Sequence, residues 1–233
     1  LDAMERLTPL AGRVEELDTL TAAWRRACSG SREIVLLRGE PGIGKTRLAH
    51  ALMEHVESSA GLVRELRCYP EAGQSPFQPL IAMMEALLEF RHDDDPTARF
   101  SKLAAYLEAR GRDTATSRVP LIAQLLSIPI SGRYRAPRAS PQRQKEQTIA
   151  ALIDMLTPVA DTQPMLVVVE DLHWIDPSTL EVLTKLAGLH GASPVLTLLT
   201  ARPEFVMPWA TLRGELLELA PLSEHDAANM VAS

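Results

Sequence analysis

Two kinds of apolar pattern alternate along this chain. Short segments rich in apolar residues have the length of strands, and they cover Glu33–Arg38, Leu62–Cys68, Met165–Val169, Val195–Thr200 and Leu216–Leu219. Met165–Val169 is apolar at every position. Such runs are typical of parallel strands, which are covered on both faces. The stretches between them repeat their apolar residues every three or four positions, as helices do. The alternation predicts an α/β fold with a parallel five-stranded sheet flanked by helices.

The helical stretches have recognisable starts and faces. Ser140-Pro141 and Asp176-Pro177 each combine an N-cap side chain with a proline in the first turn, and Ser223 is predicted to cap a last helix. The predicted apolar faces are Val14, Leu17, Leu20, Trp24 and Ala27; Leu48, Leu52 and Val56; Ile81, Met84 and Leu88; Phe100, Leu103 and Leu107; Leu121 to Leu126; Ile149, Leu152, Leu156 and Ala160; and Leu180, Leu183 and Ala187.

The length of the chain suits one large domain. We expect a single domain over residues 1–233, and within it a mainly helical insertion and linker over residues 76–140. In this insertion residues 112–118 are polar and show no helical pattern, whereas residues 129–140 predict an exposed linker rich in Pro, Arg, Gly and Ser. A group of basic residues in and after the linker is a candidate contact for another domain or a second copy of the chain, and a solvated loop is the alternative interpretation: Arg133, Arg135, Arg138 and Arg143.

Composition and charge narrow the functional classes. With 46% hydrophobic residues the chain can fill a core, and its net charge of -6 argues against direct binding to nucleic acid. No apolar run approaches the roughly 20 residues of a membrane span, and no signal peptide is visible, so we expect a cytoplasmic location and no membrane partner. Cys28 and Cys68 are too few for a disulfide framework and are predicted to be reduced core residues. The start at Leu1 and the helical pattern at Ser233 suggest a segment of a longer protein.

The strongest motif directly follows the first predicted strand. Residues 39–46 fit G-x-x-x-x-G-K-[ST], the phosphate-binding loop of nucleoside triphosphatases. In this loop glycines let backbone N–H groups point at phosphate oxygens, the lysine reaches the β- and γ-phosphates, and the hydroxyl ligates magnesium. The predicted nucleotide-binding residues are Gly39, Glu40, Pro41, Gly42, Ile43, Gly44, Lys45 and Thr46, with Arg47 directly after them.

Two acids end the third predicted strand. Glu170 and Asp171 follow Val167-Val168-Val169, and ligands of parallel sheets bind where the strands end. Carboxylates there supply a magnesium ligand and a group that orients water. By position Glu170 would hold magnesium together with Thr46, and Asp171 would polarise the water, but the reverse assignment also fits.

The residues after these acids and after the next strand are further candidates. Arg202 follows Thr200-Ala201, where a cation can sense a γ-phosphate, although a surface ion pair is the alternative interpretation. His173 and Trp174 lie two and three residues after Asp171. Trp174 is predicted to be a core anchor, and a lone His173 does not make a metal site.

Four segments of the chain together resemble one family. They are Leu10-Ala11-Gly12-Arg13, Gly39 to Leu48, Glu170 to Thr179 and Thr200 to Glu204. The segments are similar to motifs of the STAND class of AAA-like ATPase domains, and the resemblance spans nearly the whole chain. Such domains occur in bacterial regulators between a class III adenylate/guanylate cyclase domain and tetratricopeptide repeats, and in large LuxR-type transcription regulators. Residues 1–9 and 140–146 resemble the cyclase-linked group most.

The resemblance implies a signalling switch that takes one arrangement with ATP and another with ADP, with Mg²⁺ as the metal. Gly12 and Arg13 would lie near the base and ribose, and Arg202 would read the γ-phosphate. The implied partners are a cyclase or DNA-binding effector domain, a tetratricopeptide-like sensor and a second copy of the chain. Family members usually have a Gly-x-Pro turn that packs on adenine, and the chain ends before one, so we expect weaker binding of the base.

Three other functions use some of the same motifs. A small-molecule kinase would need an acceptor pocket and lid arginines, which the acidic strand end and the His-Trp segment do not suit. An origin-recognition-like DNA-binding ATPase would need a basic winged helix. A nucleotide-binding scaffold without turnover would show a broken loop or missing acids, and both are intact here. The sequence therefore favours a slow Mg²⁺-dependent ATPase that acts as a switch.

Overall fold

The predicted strands form one parallel sheet. A computed structural model describes residues 12–70, 75–132, 134–157, 163–189, 193–206 and 214–222. In these residues five strands have the order β2-β3-β4-β1-β5, and every neighbouring pair is parallel. The α/β prediction is confirmed, and each strand end lies within one residue of its predicted position. The strands are β1 (Arg32–Arg38), β2 (Leu62–Arg67), β3 (Met165–Glu170), β4 (Val195–Ala201) and β5 (Glu215–Glu218).

The strand order explains how distant motifs meet. Strand β4 lies between β1 and β3, and every residue of β3 and β4 is buried. Parallel strands end at the same edge of the sheet, so the loops after β1, β4 and β3 emerge side by side. The phosphate loop, Arg202 and the two acids follow these three strands.

Two compact units can be distinguished along the chain. The first comprises Leu1–Tyr69, Ala160–Trp174 and His190–Ser233, and contains the sheet with α1 (Val14–Cys28) and α2 (Lys45–Ser58). Its core combines the apolar faces of both helices with the central strands. Members of this core are Leu20, Trp24, Leu48, Leu52, Val56, Val35, Leu37, Val168 and Leu198.

The second unit is helical in the part that the structure describes. It comprises Pro70–Val159 and Ile175–Leu189, so it includes two helices beyond the insertion expected over residues 76–140. The predicted caps are present at Ser140 and Asp176, whereas Ser223 lies outside the described residues. The helices are α3 (Gln78–Leu87), α4 (Pro96–Glu108), α5 (Arg112–Leu125), α6 (Pro141–Met155) and α7 (Pro177–Ala187).

Helix α5 starts earlier than the sequence indicated. Residues 112–118, predicted to be unpatterned, form its first two turns. The only deeply buried side chain there is Ala115, which is too small to make an apolar stripe visible. The hydroxyls of Thr116 and Ser117 donate hydrogen bonds to the carbonyls of Arg112 and Asp113, four residues earlier in the same helix.

Two burial predictions were wrong in part. Cys68 is buried, but Cys28 is exposed because it lies one position beyond the buried face of α1, which ends at Ala27. The linker over residues 129–140 is mostly exposed, yet Tyr134 is buried and donates a hydrogen bond to Glu108 Oε1 (2.6 Å). No helix among the described residues combines the length and the apolar content needed to cross a membrane.

Candidate functional site

The loop after β1 has the backbone shape of an anion cradle. Gly42 and Gly44 have φ values of 77° and 102°, a left-handed conformation that glycine adopts without strain. A Cβ atom at either glycine would meet nothing within 4 Å, so open space adjoins both. Helix α2 begins at Lys45, and the free N–H groups of its first turn lie at the end of this loop. The loop therefore offers backbone donors and room for a phosphate group.

Lys45 lies against the loop that precedes it. Its side chain is buried, and Nζ donates hydrogen bonds to the carbonyl oxygens of Gly39 (2.7 Å) and Glu40 (2.9 Å). Burial lowers the pKa of Lys45, the Asp171 carboxylate raises it, and the Arg202 guanidinium lowers it further. The ammonium group is thus within electrostatic reach of side chains that follow β3 and β4.

Asp171 holds an uncommon backbone conformation at the end of β3. Its φ of 56° lies in the left-handed region, which residues other than glycine seldom adopt. Its N–H donates to the hydroxyl of Thr200 (3.0 Å), a buried residue of β4. Its carbonyl accepts from the N–H of Trp174 (2.8 Å), which closes the short 3-10 helix Leu172–Trp174. These two bonds fix the point at which the Asp171 side chain leaves the strand.

Glu170 is buried beside polar residues that the sequence did not connect with it. It is 4% exposed, and its Oε1 has no hydrogen-bond partner among the described residues. Burial raises the pKa of Glu170 to about 7 against the opposing effect of Arg67, whose Nε lies 3.8 Å from Glu170 Oε2. Arg67 also contacts Glu65 and His50, so its guanidinium holds a cluster together. The pairing of β2 with β3 sets Arg67 opposite Glu170, and nothing in the sequence indicated that pairing.

The cluster around Glu170 has the composition of a metal site. His50, Glu65 and Glu170 offer ligand atoms that lie within 4.8 Å of one another. The cation in contact with all three side chains is the guanidinium of Arg67. Arg67 therefore balances the charge of these acids in the structure as it stands.

Arg202 lies beside an aromatic ring after β4. Its Cζ is 5.6 Å from the centroid of Trp174, and its Nη1 is 4.0 Å from Glu204. Trp174 is 36% exposed, so its prediction as a core anchor was wrong: the 3-10 turn buries Leu172 instead. Burial lowers the pKa of His173, and the charge of Arg202 lowers it further, so the imidazole is neutral at pH 7.

Arg13 precedes α1 and contacts the phosphate loop at Ile43. This residue is 5% exposed, and its Nη1 donates to Glu16 Oε1 (2.7 Å). Its Nη2 donates to the carbonyls of Ile43 (3.3 Å) and Ala220 (2.7 Å), so Arg13 joins the start of α1, the loop and the chain after β5. A cavity of about 410 Å³ adjoins it, lined by residues 12–16 and 220–222. The placement of Gly12 and Arg13 near a base and ribose stays a prediction.

The remaining predicted residues lie at the mouth of the loop. Glu40, Pro41 and Thr46 are exposed, and Arg47 is half-buried in the first turn of α2. The Thr46 hydroxyl is thus accessible one residue after Lys45. Glu170 is the last residue of β3, and the other residues predicted for phosphate and metal contact follow β1, β3 or β4 at the same edge of the sheet.

A comparison with known protein families identifies the family of this chain. A family model described as an AAA ATPase domain matches residues 9–198. The chain belongs to the AAA ATPase domain family. An uncharacterized protein of Rhizobium meliloti (strain 1021) is 31% identical over 221 residues, which are 94% of this chain and 21% of that protein. The AAA ATPase domain described here thus spans about a fifth of the length of this relative.

Solved structures of similar fold have low sequence identity. The Orc1 protein of Aeropyrum pernix in complex with DNA has a TM-score of 0.50 and 17% identity, covering 99% of this chain and 51% of that chain. The Drosophila origin recognition complex bound to DNA has a TM-score of 0.48 and 15% identity, covering 97% of this chain and 46% of that chain. The Orc1 likeness is one of fold alone. The predicted AAA-like ATPase family is confirmed, while the STAND class stays a prediction.

The residues of this AAA ATPase domain fit a nucleotide and a magnesium ion. The left-handed glycines leave room beside backbone donors, as a phosphate group requires. Hard oxygen donors are the ligands that magnesium prefers, and the side chains of Thr46, Glu170 and Asp171 carry such oxygens. Their role as magnesium ligands stays a prediction. The buried Oε1 of Glu170 is an acceptor without a described partner, which a magnesium ion or its bound water would satisfy.

Proposed function

We propose that this AAA ATPase domain binds ATP with Mg²⁺, hydrolyses it slowly, and acts as the nucleotide-controlled switch of a multidomain bacterial signalling protein. One observation carries the proposal. Lys45, Asp171 and Arg202 come after β1, β3 and β4, three neighbouring parallel strands that end at one edge of the sheet. The charges of Asp171 and Arg202 also act on the pKa of Lys45. Two cations and an acid that meet beside a glycine loop suit a triphosphate, because each can act on the terminal phosphates.

The roles divide by position. Lys45 would exchange its bonds with the Gly39 and Glu40 carbonyls for bonds with β- and γ-phosphate oxygens. Thr46 and Glu170 would hold magnesium, which neutralises charge on the phosphates when bound. Asp171 would orient the attacking water. The bond to the Thr200 hydroxyl fixes its backbone, and the charge of its carboxylate acts on Lys45.

The switch part of the proposal rests on Arg202. A cation that contacts only the γ-phosphate binds ATP better than ADP, and such differential affinity is required for a nucleotide to shift a conformational equilibrium. The matched relative is about five times longer than its matching region, which supports a multidomain setting. The partners in this proposal are a cyclase or DNA-binding effector domain and a tetratricopeptide-like sensor in the same cytoplasmic protein. The net charge of -6 supports a domain that does not itself bind nucleic acid.

Calorimetric titration with ADP and with a non-hydrolysable ATP analogue tests nucleotide binding. Lys45→Ala should weaken the ATP analogue by about 100-fold, because it removes charge-assisted hydrogen bonds worth roughly 1.5–3 kcal/mol each. The control is Lys185→Ala, which removes an exposed lysine of α7 and should bind like the wild type. Equal affinity of Lys45→Ala and the wild type would overturn the assignment of the phosphate loop.

Amide variants of the two acids test turnover. Asp171→Asn should retain magnesium-dependent affinity and lose hydrolysis, measured as phosphate release. Glu170→Gln should lose hydrolysis, and magnesium should no longer increase its affinity for the ATP analogue. The opposite pattern would exchange the two roles, and wild-type hydrolysis in both variants would exclude the acids from catalysis.

A further inference from the structure

Trp174 is a large aromatic residue that the fold leaves partly exposed. Trp174 is 36% exposed, although it belongs to the sheet-containing unit and lies two residues after the buried Leu172. The bond from Trp174 N–H to the Asp171 carbonyl (2.8 Å) anchors its backbone to the acidic turn. The His173 ring lies against the Trp174 ring with centroids 5.1 Å apart and planes tilted by 48°. The turn and this contact hold an aromatic face next to the site.

The face of Trp174 carries a cation. The Cζ atom of Arg202 lies 5.6 Å from the ring centroid, within the range of a cation–π interaction, and tryptophan is the strongest aromatic partner for such a contact. The other described partner of Arg202 is Glu204, at the outer limit of an ion pair (4.0 Å) and 68% exposed. An exposed pair of that length contributes little. The aromatic ring is therefore the main contact that sets the position of the guanidinium.

The Trp174 ring is a neutral partner for the Arg202 guanidinium, which leaves that guanidinium able to bind an anion. An arginine paired with a buried acid would have to leave that acid uncompensated before it could contact a phosphate. An arginine on an aromatic face keeps its full charge, and its N–H groups stay available to an anion while the contact with the ring persists. Arg202 follows β4, the neighbour of β1, and the phosphate loop follows β1 at the same edge of the sheet. The charge of Arg202 lowers the pKa of Lys45 in that loop.

We propose that Trp174 is a positioning residue that holds the Arg202 guanidinium ready for the γ-phosphate of ATP. Trp174 acts through Arg202 and does not itself contact the nucleotide. Its contribution is therefore present with ATP and absent with ADP. The inference rests on the proposed function, because it requires a triphosphate in the loop.

Calorimetric titration of five proteins tests this role: the wild type, Trp174→Phe, Trp174→Leu, Arg202→Ala and the double variant Trp174→Leu/Arg202→Ala. Trp174→Leu should weaken the non-hydrolysable ATP analogue about threefold to tenfold and leave ADP affinity within about twofold. Trp174→Phe should lose less, since phenylalanine is the weaker but still aromatic partner. The double variant should bind the ATP analogue as Arg202→Ala does, because the tryptophan acts only through the arginine.

A matched control removes a cation–π contact elsewhere. In the helical unit the Cζ atom of Arg99 lies 5.3 Å from the centroid of the Phe90 ring. Phe90→Leu removes that ring and should change neither the affinity for the ATP analogue nor the affinity for ADP. Intrinsic fluorescence gives a second measurement: the ATP analogue should change the emission of the wild type more than ADP does, and Trp174→Phe should abolish the difference.

The outcomes separate the two proposals. A wild type that binds neither nucleotide overturns the proposed function, and the inference with it. A wild type that binds ATP while Trp174→Leu leaves the ATP-to-ADP affinity ratio unchanged overturns the inference alone. Additive losses in the double variant would also overturn it, because Trp174 would then act by a route other than Arg202.

Discussion

Among single residues, Glu170 has the most perturbed titration in the described site, and this has a consequence for stability. Burial raises the pKa of Glu170 to about 7 from an ordinary value of 4.5. A carboxyl group with a raised pKa in the folded state holds its proton more tightly there than in the unfolded chain. Its contribution to the free energy of unfolding is therefore fully present below pH 4.5 and is lost as the pH rises to about 7.

Glu170→Gln should not lose this free energy of unfolding as the pH rises, because an amide does not ionise. With a chelator and without nucleotide, the variant should exceed the wild type in free energy of unfolding by on the order of 3 kcal/mol at pH 8 and by little at pH 4.5. Urea denaturation at the two pH values measures the difference. The exposed Glu54→Gln serves as control, and a Glu170→Gln effect of equal size at both pH values would contradict the prediction.

The sequence predicts some site residues well and others not at all. The phosphate loop was predictable because its chemistry depends on residues adjacent in the chain, from Gly39 to Thr46. Arg13 was identified by resemblance, but its contacts were not predictable, since its carbonyl partners Ile43 and Ala220 lie 30 and 207 positions away. The position of Arg67 beside Glu170 depends on which strands are neighbours, and no local pattern encodes that.

Between elements, Asp176 connects the starts of two helices in the second unit. Its carboxylate, 1% exposed, accepts from the N–H groups of Ser178 and Thr179 at the start of α7. The same oxygen accepts from the N–H of Phe77 (3.0 Å), the residue that precedes α3 and has a left-handed φ of 63°. One side chain thus caps α7 and fixes the entry into α3.

Asp176→Ala should cost on the order of 3 kcal/mol in free energy of unfolding. It removes a helix cap, worth about 1 kcal/mol, and leaves buried N–H groups unsatisfied, at about 1–3 kcal/mol each. Asp95→Ala is the matched control, because Asp95 is an N-cap on α4 that accepts from Ala98 N–H at an exposed position. It should cost only about 1 kcal/mol. Equal losses in urea denaturation would show that the bond to Phe77 contributes nothing.

The helices themselves were predictable to the extent that local chemistry defines them. Ser140-Pro141 and Asp176-Pro177 marked helix starts correctly, since an N-cap and a first-turn proline act on adjacent residues. The bond from Phe77 to Asp176 spans 99 positions and left no signal. The start of α5 was missed because its first two turns bury only Ala115, which makes no apolar stripe.

Over the whole molecule, strand count and direction followed from the apolar runs, but strand order did not. A run such as Val195–Ala201 shows that a strand is buried on both faces, and many orders of parallel strands satisfy that condition. The order β2-β3-β4-β1-β5 depends on how the connections cross the sheet. The full extent of the helical unit was likewise not predictable from the sequence, because this unit includes α7 although α7 follows β3 in the chain.

The basic linker belongs to this helical unit. A groove of about 650 Å³ there is lined by Arg118, Arg135, Arg138 and Arg143, while Arg133 lies outside the described residues. Arg118 pairs with Asp154, and Arg135 donates to the carbonyls of Gly132 and Tyr134. In a chain of net charge -6 this local concentration of arginines suits an acidic surface of another domain or of a second copy of the chain.

Reversing the charge of the groove should leave nucleotide binding intact. The triple variant Arg135→Glu/Arg138→Glu/Arg143→Glu changes only residues of the helical unit, whereas Lys45, Asp171 and Arg202 belong to the sheet-containing unit. None of the three arginines is among the residues proposed to contact the nucleotide, so ATP and ADP affinities should stay within about twofold of the wild type. Calorimetry on the variant, with Lys45→Ala as the reference for lost binding, measures this. Regulation of the longer protein should change in the same variant, because the partner surface would meet like charge. A large loss of ATP affinity in the triple variant would instead place the groove against the nucleotide.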